Sequence, residues 1–207
     1  MSPTDPTVAA PKKLMTANEF WDFCQRPENQ DMRHELIRGE IIEMSRPTRH
    51  HGIVMARIGD ILSRWLEQTS GVGYVAVDAG LVLEDSPGTV VGPDVAYYTD
   101  AATFEEVPPK WGEDPPVLVV EVLSPNDKKK DVTRKVADYL DNGVPLVWVV
   151  DYEERFVTVY RLGQPPRAIG EDDELTGGDD LPGFSCRVAE FFRLPGGQPL
   201  PPLPKSS

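Results

Sequence analysis

A glutamate inside an apolar segment is the residue of this sequence with the clearest chemical consequence. Glu121 lies in the run 117–123, whose other members are all valine or leucine, a composition typical of a fully buried strand. An ionised carboxylate removed from water is tolerated only beside a cation, a metal or dedicated hydrogen-bond donors. Two partners are available: a divalent metal shared with Asp94, and the ammonium of Lys135. Together these three residues suggest metal-dependent hydrolysis.

Each of the three residues also has a purely structural explanation. Asp94 follows a proline at the start of an apolar strand, where aspartate often closes a turn. Glu121 could form a structural ion pair with a buried arginine or lysine. Lys135 could pair with Asp131, one helical turn earlier on the same helix. No single position therefore establishes catalysis.

Hydrophobic periodicity and turn residues predict the elements that must position these side chains. The predicted order is a helix over about 17–25, strands 33–37 and 40–44, a helix over about 50–68, strands 74–78, 81–84, 94–98 and 117–123, a helix from 127 to about 141, and strands 146–151 and 156–160. Glu35 falls in the first hairpin, and His51 lies on the apolar face of the second helix in its first turn. Lys135 lies at the border of the buried stripe of the third helix.

The strand, helix and strand around Glu121 predict the fold class. A helical connection between two buried strands favours parallel pairing of 117–123 with 146–151. The tight turn at Arg38-Gly39 predicts an antiparallel hairpin elsewhere in the chain. The class predicted from the residues is therefore mixed α/β.

The composition is that of one globular domain with disordered ends. The chain has 207 residues, of which 40% are hydrophobic and 27% charged, which are ordinary globular values. Residues 1–13 and 194–207 are rich in proline and polar residues, so we expect disordered tails around a folded unit at 14–193. Neither a membrane span nor a signal peptide is recognisable, which favours a cytoplasmic location. Cys24 and Cys186 are predicted to be buried free thiols, and a cysteine nucleophile is the less favoured alternative.

The net charge of -13 argues against a protein that coats nucleic acid non-specifically, because phosphate affinity comes mainly from lysine and arginine. It leaves room for a locally basic surface, since charges are screened over about 8 Å at physiological salt. Two basic segments are candidates: the arginines at 33, 38, 46, 49, 57 and 64, and the cluster Lys128, Lys129, Lys130, Arg134 and Lys135. A solvated helix start, interspersed with Asp127 and Asp131, explains the second segment equally well.

The order of the candidate residues resembles a known class of enzyme. A Pro-Asp pair, an acid inside an apolar strand and a lysine shortly afterwards are similar to the PD-(D/E)XK nucleases. In particular, the chain resembles the Uma-type restriction endonuclease family of the restriction-endonuclease-like superfamily. The matching residues are 34–41, His51, 93–95, 119–125, Asp131, Lys135, Tyr139, 143–144 and 148–151.

The resemblance implies a restriction-endonuclease-like mixed sheet with flanking helices and a Mg²⁺-dependent endonuclease, with Mn²⁺ as the alternative metal. It implies that Asp94 and Glu121 bind the metal and that the substrate is nucleic acid, with DNA favoured. The superfamily pattern would place lysine at position 123, where this chain has leucine, so the lysine role is assigned to Lys135. Glu35 is a further candidate acid, as a metal ligand through water or as a proton acceptor.

His51 is a candidate either for contact with the scissile phosphate or for tuning Glu35, and a histidine packed at a core edge is the structural alternative. A homodimer is expected on the same resemblance. Two other functions remain open: a non-catalytic nuclease-fold module that binds nucleic acid or protein, and a metal-dependent hydrolase of another phosphate ester.

Overall fold

The computed structural model describes residues 14–69, 71–125 and 127–197. The tail predicted at 1–13 and most of the tail predicted at 194–207 lie outside the described residues. The helices and strands are Ala17–Cys24 (α1), Arg33–Ile37 (β1), Glu40–Met44 (β2), Arg49–Thr69 (α2), Tyr74–Val77 (β3), Leu81–Asp85 (β4), Gly88–Val91 (β5), Val95–Tyr98 (β6), Leu118–Val122 (β7), Lys129–Asp141 (α3), Leu146–Asp151 (β8), Phe156–Tyr160 (β9), Arg167–Gly170 (β10), Glu174–Thr176 (β11) and Ser185–Arg187 (β12). Short 3-10 helices occur at Phe104–Glu106 and Val188–Phe192.

A six-stranded sheet forms the centre of the molecule, with the order β10-β9-β8-β7-β6-β3. Strands β7 and β8 pair in parallel, as the strand, helix and strand pattern predicted, and the other neighbours are antiparallel. Side chains alternate between the two faces of a strand. On β7, Leu118, Val120 and Val122 belong to one apolar cluster, which includes α2, whereas Val119 belongs to another, which includes α3. The sheet is therefore covered by one helix on each face, which confirms the mixed α/β class.

A second sheet of four strands, in the order β2-β1-β5-β4, carries the predicted hairpin at its edge. Helix α1 begins at a capping box, in which Thr16 and Glu19 exchange side-chain to backbone hydrogen bonds. It packs Phe20 against Leu36 and Val90 of this sheet. The second sheet leads directly into the first, because only residues 92–94 separate β5 from β6.

Strand β5 was not predicted from the sequence. Its residues Gly88–Val91 lie between turn-forming residues, including Pro87 and Gly92, so the segment was indistinguishable from a turn. A side chain at Gly88 would place its Cβ 2.5 Å from Leu36 Cδ2 and 2.6 Å from the backbone nitrogen of Ala17. Glycine is therefore required for the close approach of α1 and β1 to this strand.

The C-terminal part of the domain was also missed. Strands β10, β11 and β12 have only three or four residues each, too few to show an alternating pattern. The 3-10 helix at Val188–Phe192 places Val188 and Phe191 in the core beneath the central sheet. Cys24 and Cys186 are free thiols, as predicted, but both are half-buried rather than fully buried. No helix among the described residues is long and apolar enough to cross a membrane.

The packing of α2 on the central sheet gives a first test of the fold. Ile58 is fully buried, whereas Ile53 on the same helix is 37% exposed. We expect Ile58→Ala to lower the free energy of unfolding by about 2–5 kcal/mol, because it removes packed methyl groups and leaves a cavity. Ile53→Ala is the matched control and is expected to cost less than half as much. Urea denaturation measures both, and equal losses would contradict the described orientation of α2.

Candidate active site

Strand pairing brings the two predicted metal ligands together. In the antiparallel pair of β6 and β7, Val95 lies opposite Val120 and Ala96 opposite Val119. The same register carried one residue further places Asp94 opposite Glu121, at the distance of cross-strand neighbours. Asp94 Oδ2 accepts a hydrogen bond of 2.7 Å from the backbone N–H of Val122. The Asp94 carboxylate thus continues the hydrogen-bond ladder beyond the end of β6 and is held at the sheet.

Helix α3 supplies two partners to Glu121 from above the sheet. Lys135 Nζ lies 3.0 Å from Glu121 Oε1 and 3.1 Å from Oε2. The hydroxyl of Tyr139 donates a hydrogen bond of 2.5 Å to Glu121 Oε1. Lys135 and Tyr139 are one helical turn apart and therefore share a face of α3. The alternative pairing of Lys135 with Asp131 is not observed, since Asp131 pairs with Arg134.

Glu35 reaches the same lysine from the second sheet. Its Oε1 lies 3.0 Å from Lys135 Nζ and accepts a hydrogen bond of 3.1 Å from the backbone N–H of Gly92. Glu35 is 8% exposed, so it is not the exposed hairpin carboxylate that a surface explanation would require. One ammonium therefore joins carboxylates from both sheets.

His51 approaches from the opposite face of the central sheet, on α2. Thr48 caps the start of that helix by accepting a hydrogen bond from the His51 backbone N–H. His51 Nε2 lies 3.2 Å from Asp94 Oδ2, whereas its Nδ1 is buried and has no partner among the described residues. The structure thus pairs His51 with Asp94, while the described partners of Glu35 are Lys135 and Gly92.

Burial and neighbouring charges shift the protonation equilibria of this cluster. Burial raises the pKa of Glu121 to about 7; Lys135 and Tyr139 oppose the rise, while Asp94 and Glu35 add to it. Burial alone would lower the pKa of Lys135, but Glu121 and Glu35 outweigh it and raise that pKa above its ordinary value. Burial also lowers the pKa of His51, yet the hydrogen bond to Asp94 and its charge produce a net rise. Lys135 is therefore a stable cation within a set of acids.

The chemistry of the donors fits a hard divalent cation. Three carboxylates, the buried Glu35 and Asp94 and the half-buried Glu121, face one ammonium and one imidazole, so negative charge is in excess when all three acids are ionised. Within the part of the chain that the structure describes, no three His, Cys, Asp or Glu side chains are gathered closely enough to hold a metal by themselves. Mg²⁺ does not need such a cage, because it is usually bound through one or two carboxylates and keeps several waters.

All five predicted site residues lie in one connected cluster. Lys135 contacts Glu121 and Glu35, and His51 contacts Asp94. From the sequence, Tyr139 was named only among the residues that match the family, and its hydrogen bond to Glu121 was not predicted. Its spacing of four residues from Lys135 was the available signal. The Gly92 N–H was also missed, because no side-chain pattern indicates a backbone donor.

The cysteines offer no competing nucleophile in the described structure. Burial, reinforced by Glu190 and Glu174, raises the pKa of Cys186 to about 12. Burial also raises the pKa of Cys24. Since the thiolate is the reactive form of cysteine, both thiols stay protonated at neutral pH.

Comparison with solved structures defines the class of protein. A crystal structure from Anabaena variabilis ATCC 29413, described as "a putative nuclease belonging to DUF820", matches with a TM-score of 0.72 at 19% sequence identity. The match covers 86% of this chain and 97% of that chain. This chain therefore has the same fold as that protein.

The family follows from the sequence itself. The family model Uma2, described as "Putative restriction endonuclease", matches residues 19–189. The chain belongs to this family, which confirms the resemblance on which the assignment of the site residues was based. A search of curated proteins gave no match.

The lysine at the centre of the cluster gives a second test. Lys135→Met is expected to lower the free energy of unfolding by about 3–5 kcal/mol, because it leaves buried carboxylates without their cation. Adding Glu121→Gln should recover part of that loss, since one of the uncompensated charges is removed. Lys130→Met, at an exposed position of the same helix, is the control, with an expected effect within about 0.5 kcal/mol. If Lys135→Met matches this control in urea denaturation, the ion pairs do not stabilise the fold.

The hydroxyl of Tyr139 gives a third test. Tyr139→Phe is expected to cost about 1.5–3 kcal/mol in the free energy of unfolding, the usual value of a hydrogen bond to a charged group. Tyr160→Phe is the matched control, because Tyr160 packs against the same apolar cluster and its hydroxyl has no hydrogen bond to any described residue. Thermal or urea unfolding of both variants measures the difference, and equal stabilities would show that the Tyr139 bond contributes nothing.

Proposed function

We propose that this protein is a Mg²⁺-dependent endonuclease that hydrolyses phosphodiester bonds of DNA, with Mn²⁺ able to replace Mg²⁺. The observation that carries the proposal is the buried cluster in which Lys135 bridges Glu121 and Glu35 while Asp94 lies across the strand pair from Glu121. A purely structural ion pair would need one acid for one lysine. Here two acids share one lysine and a third acid, Asp94, pairs with His51, so the acids outnumber the lysine and a metal cation would compensate the charge that remains.

Asp94 and Glu121 are the residues that would hold the metal. When bound, Mg²⁺ would polarise a phosphoryl oxygen and acidify an attacking water. The backbone N–H of Val122 fixes one oxygen of Asp94, and the hydroxyl of Tyr139 fixes one oxygen of Glu121. Both carboxylates are thus oriented by hydrogen bonds from the protein, which is the arrangement that maintains ligand geometry in metal sites.

Lys135, Glu35 and His51 have distinct roles in the proposed reaction. Lys135 offsets negative charge that develops on the phosphorus centre and orients the attacking water, an electrostatic role that suits a permanently charged ammonium. Glu35 holds Lys135 in place and can accept a proton from water at its carboxylate. His51 donates from Nε2 to Asp94, which leaves Nδ1 as the nitrogen without a described partner.

Location and assembly are proposed on the same basis. We propose a cytoplasmic location, as the sequence predicted, and two free thiols are compatible with a reducing compartment. Cleavage of both strands of a duplex is most simply achieved by a homodimer that presents two sites.

Nuclease assays test the proposal directly. Single- and double-stranded DNA are incubated with Mg²⁺, Mn²⁺ or EDTA, and the wild type is compared with Asp94→Asn and Glu121→Gln. We expect cleavage only with metal and a loss of roughly 100-fold or more in each variant, because each removes a charge that acts in the transition state. Glu67→Gln, an exposed acid on α2, is the control and should cleave as the wild type does.

Each other outcome of this assay has a definite meaning. Activity that survives both substitutions overturns the proposed site. Binding of DNA without metal-dependent turnover would support the non-catalytic module. Hydrolysis of a small phosphodiester, such as bis(4-nitrophenyl) phosphate, without cleavage of DNA would support a hydrolase of another phosphate ester, which the net charge of -13 favours.

A further inference from the structure

Some lysine and arginine side chains in the described part of this acidic protein form ion pairs with described carboxylates, and others do not. Nine of the described lysine and arginine side chains form ion pairs with carboxylates. Arg46, Arg49, Lys128, Lys129 and Lys130 are exposed and have no ion pair with any described residue. These five residues, which we call the cationic rim, come from the two basic segments of the sequence. Because acids outnumber bases in the chain, an exposed lysine or arginine without a carboxylate partner is unexpected and suggests that it binds another anion.

The fold brings the two halves of the cationic rim to one edge of the central sheet. Arg46 and Arg49 lie at the start of α2, whose first-turn residue His51 contacts Asp94, and Asp94 is bonded to the end of β7. The lysines lie at the start of α3, a few residues after the same end of β7. The two helix starts therefore lie near each other, beside the candidate active site.

Side-chain contacts between the start of α2 and the end of β8 support the same placement of Arg46 and Arg49. The ring of His50, next to Arg49, lies 6.0 Å from the ring of Tyr152, which directly follows β8. The hydroxyls of Thr48 and Tyr152 are 3.5 Å apart. Because β7 and β8 are parallel, their carboxyl ends meet at one edge of the sheet. Arg46 and Arg49 are thus held close to the edge at which the acids of the site are gathered.

The acids nearest to the three lysines are occupied elsewhere. Asp131 pairs with Arg134 at 3.4 Å, and Asp127 accepts a hydrogen bond from the backbone N–H of Ser124. The three lysines are therefore exposed at the helix start without a carboxylate partner among the described residues. Exposed lysine and arginine side chains without carboxylate partners are the groups that release counterions when they bind phosphate.

We propose that the cationic rim is one continuous surface that binds the phosphate backbone of nucleic acid on either side of the scissile bond. This inference rests on the proposed function and extends it, because it identifies which cations hold the substrate. The rest of the acidic surface repels a polyanion, but over only about 8 Å at physiological salt. By binding these phosphates, the rim also orients the nucleic-acid strand over Asp94 and Glu121.

Binding without turnover tests the rim separately from catalysis. Fluorescence anisotropy with a labelled DNA duplex is measured in EDTA over a series of salt concentrations. The variants are Arg46→Gln with Arg49→Gln, and Lys128→Gln with Lys129→Gln and Lys130→Gln. We expect each to weaken binding about 10-fold or more at low salt. The slope of log affinity against log salt should fall by about 0.9 for each phosphate that the variant no longer neutralises.

Charge-matched controls come from exposed cations away from the rim that have no described carboxylate partner. The double variant Arg26→Gln with Arg167→Gln is the control for the arginine pair of the rim, and the same double variant with Lys110→Gln added is the control for the three lysines. Both controls should bind DNA as the wild type does. The proposal is overturned if these controls lose as much affinity as the rim variants, if either rim variant binds normally, or if the wild type binds no DNA.

The assay also separates this proposal from the proposed function. Asp94→Asn and Glu121→Gln should bind DNA in EDTA at least as tightly as the wild type does, because each removes a carboxylate charge that repels phosphate and leaves the rim intact. Normal binding through the rim by a protein that never cleaves would support the rim and reject the nuclease. Metal-dependent cleavage with unchanged binding in the rim variants would reject the rim alone.

Discussion

The need to neutralise the carboxylate charge of Glu121 is the constraint on which the rest of the structure depends. A carboxylate in the middle of a central strand must be neutralised where it stands, because the strand cannot move it to water. Its partners Lys135 and Tyr139 both belong to α3, so the position and rotation of that helix over the sheet are set by two polar contacts as well as by apolar packing. Apolar packing alone is non-directional, whereas these contacts specify one arrangement.

The same constraint explains how the site accommodates a leucine where the superfamily pattern has lysine. Leu123 follows the end of β7 and packs against the apolar cluster that includes Val136 and Tyr139 of α3. The helix therefore lies over the surface that a lysine at position 123 would have shared with Glu121. An ammonium that approaches from the helix reaches the same carboxylate from above, and the apolar leucine completes the contact between helix and sheet.

Sequence reasoning succeeded where a residue contradicted its surroundings. Glu121 stood out because its strand was otherwise apolar, and the central elements were predictable because each carries several periods of an apolar pattern. The hydrogen bond of Tyr139 was not predicted, because a buried tyrosine looks like any other core aromatic until its hydroxyl partner is known. Strand β5 and the short strands after β9 were not predicted, since they contain few apolar residues and lie among turn-forming residues, unlike the equally short but apolar β3 and β6. The bond from Val122 to Asp94 was beyond prediction for a related reason: it depends on the register of two strands distant in the chain.

The three-residue connection between β5 and β6 has a mechanical consequence. Gly92 donates its N–H to Glu35 of the second sheet, and Asp94, two residues later, accepts from Val122 of the central sheet. A segment of this length spans at most about 10 Å and has no slack to absorb a shift of one sheet against the other. Any tilt of the β1–β2 hairpin is therefore transmitted to the Asp94 carboxylate, and Glu35, Lys135 and Asp94 move as parts of one linkage.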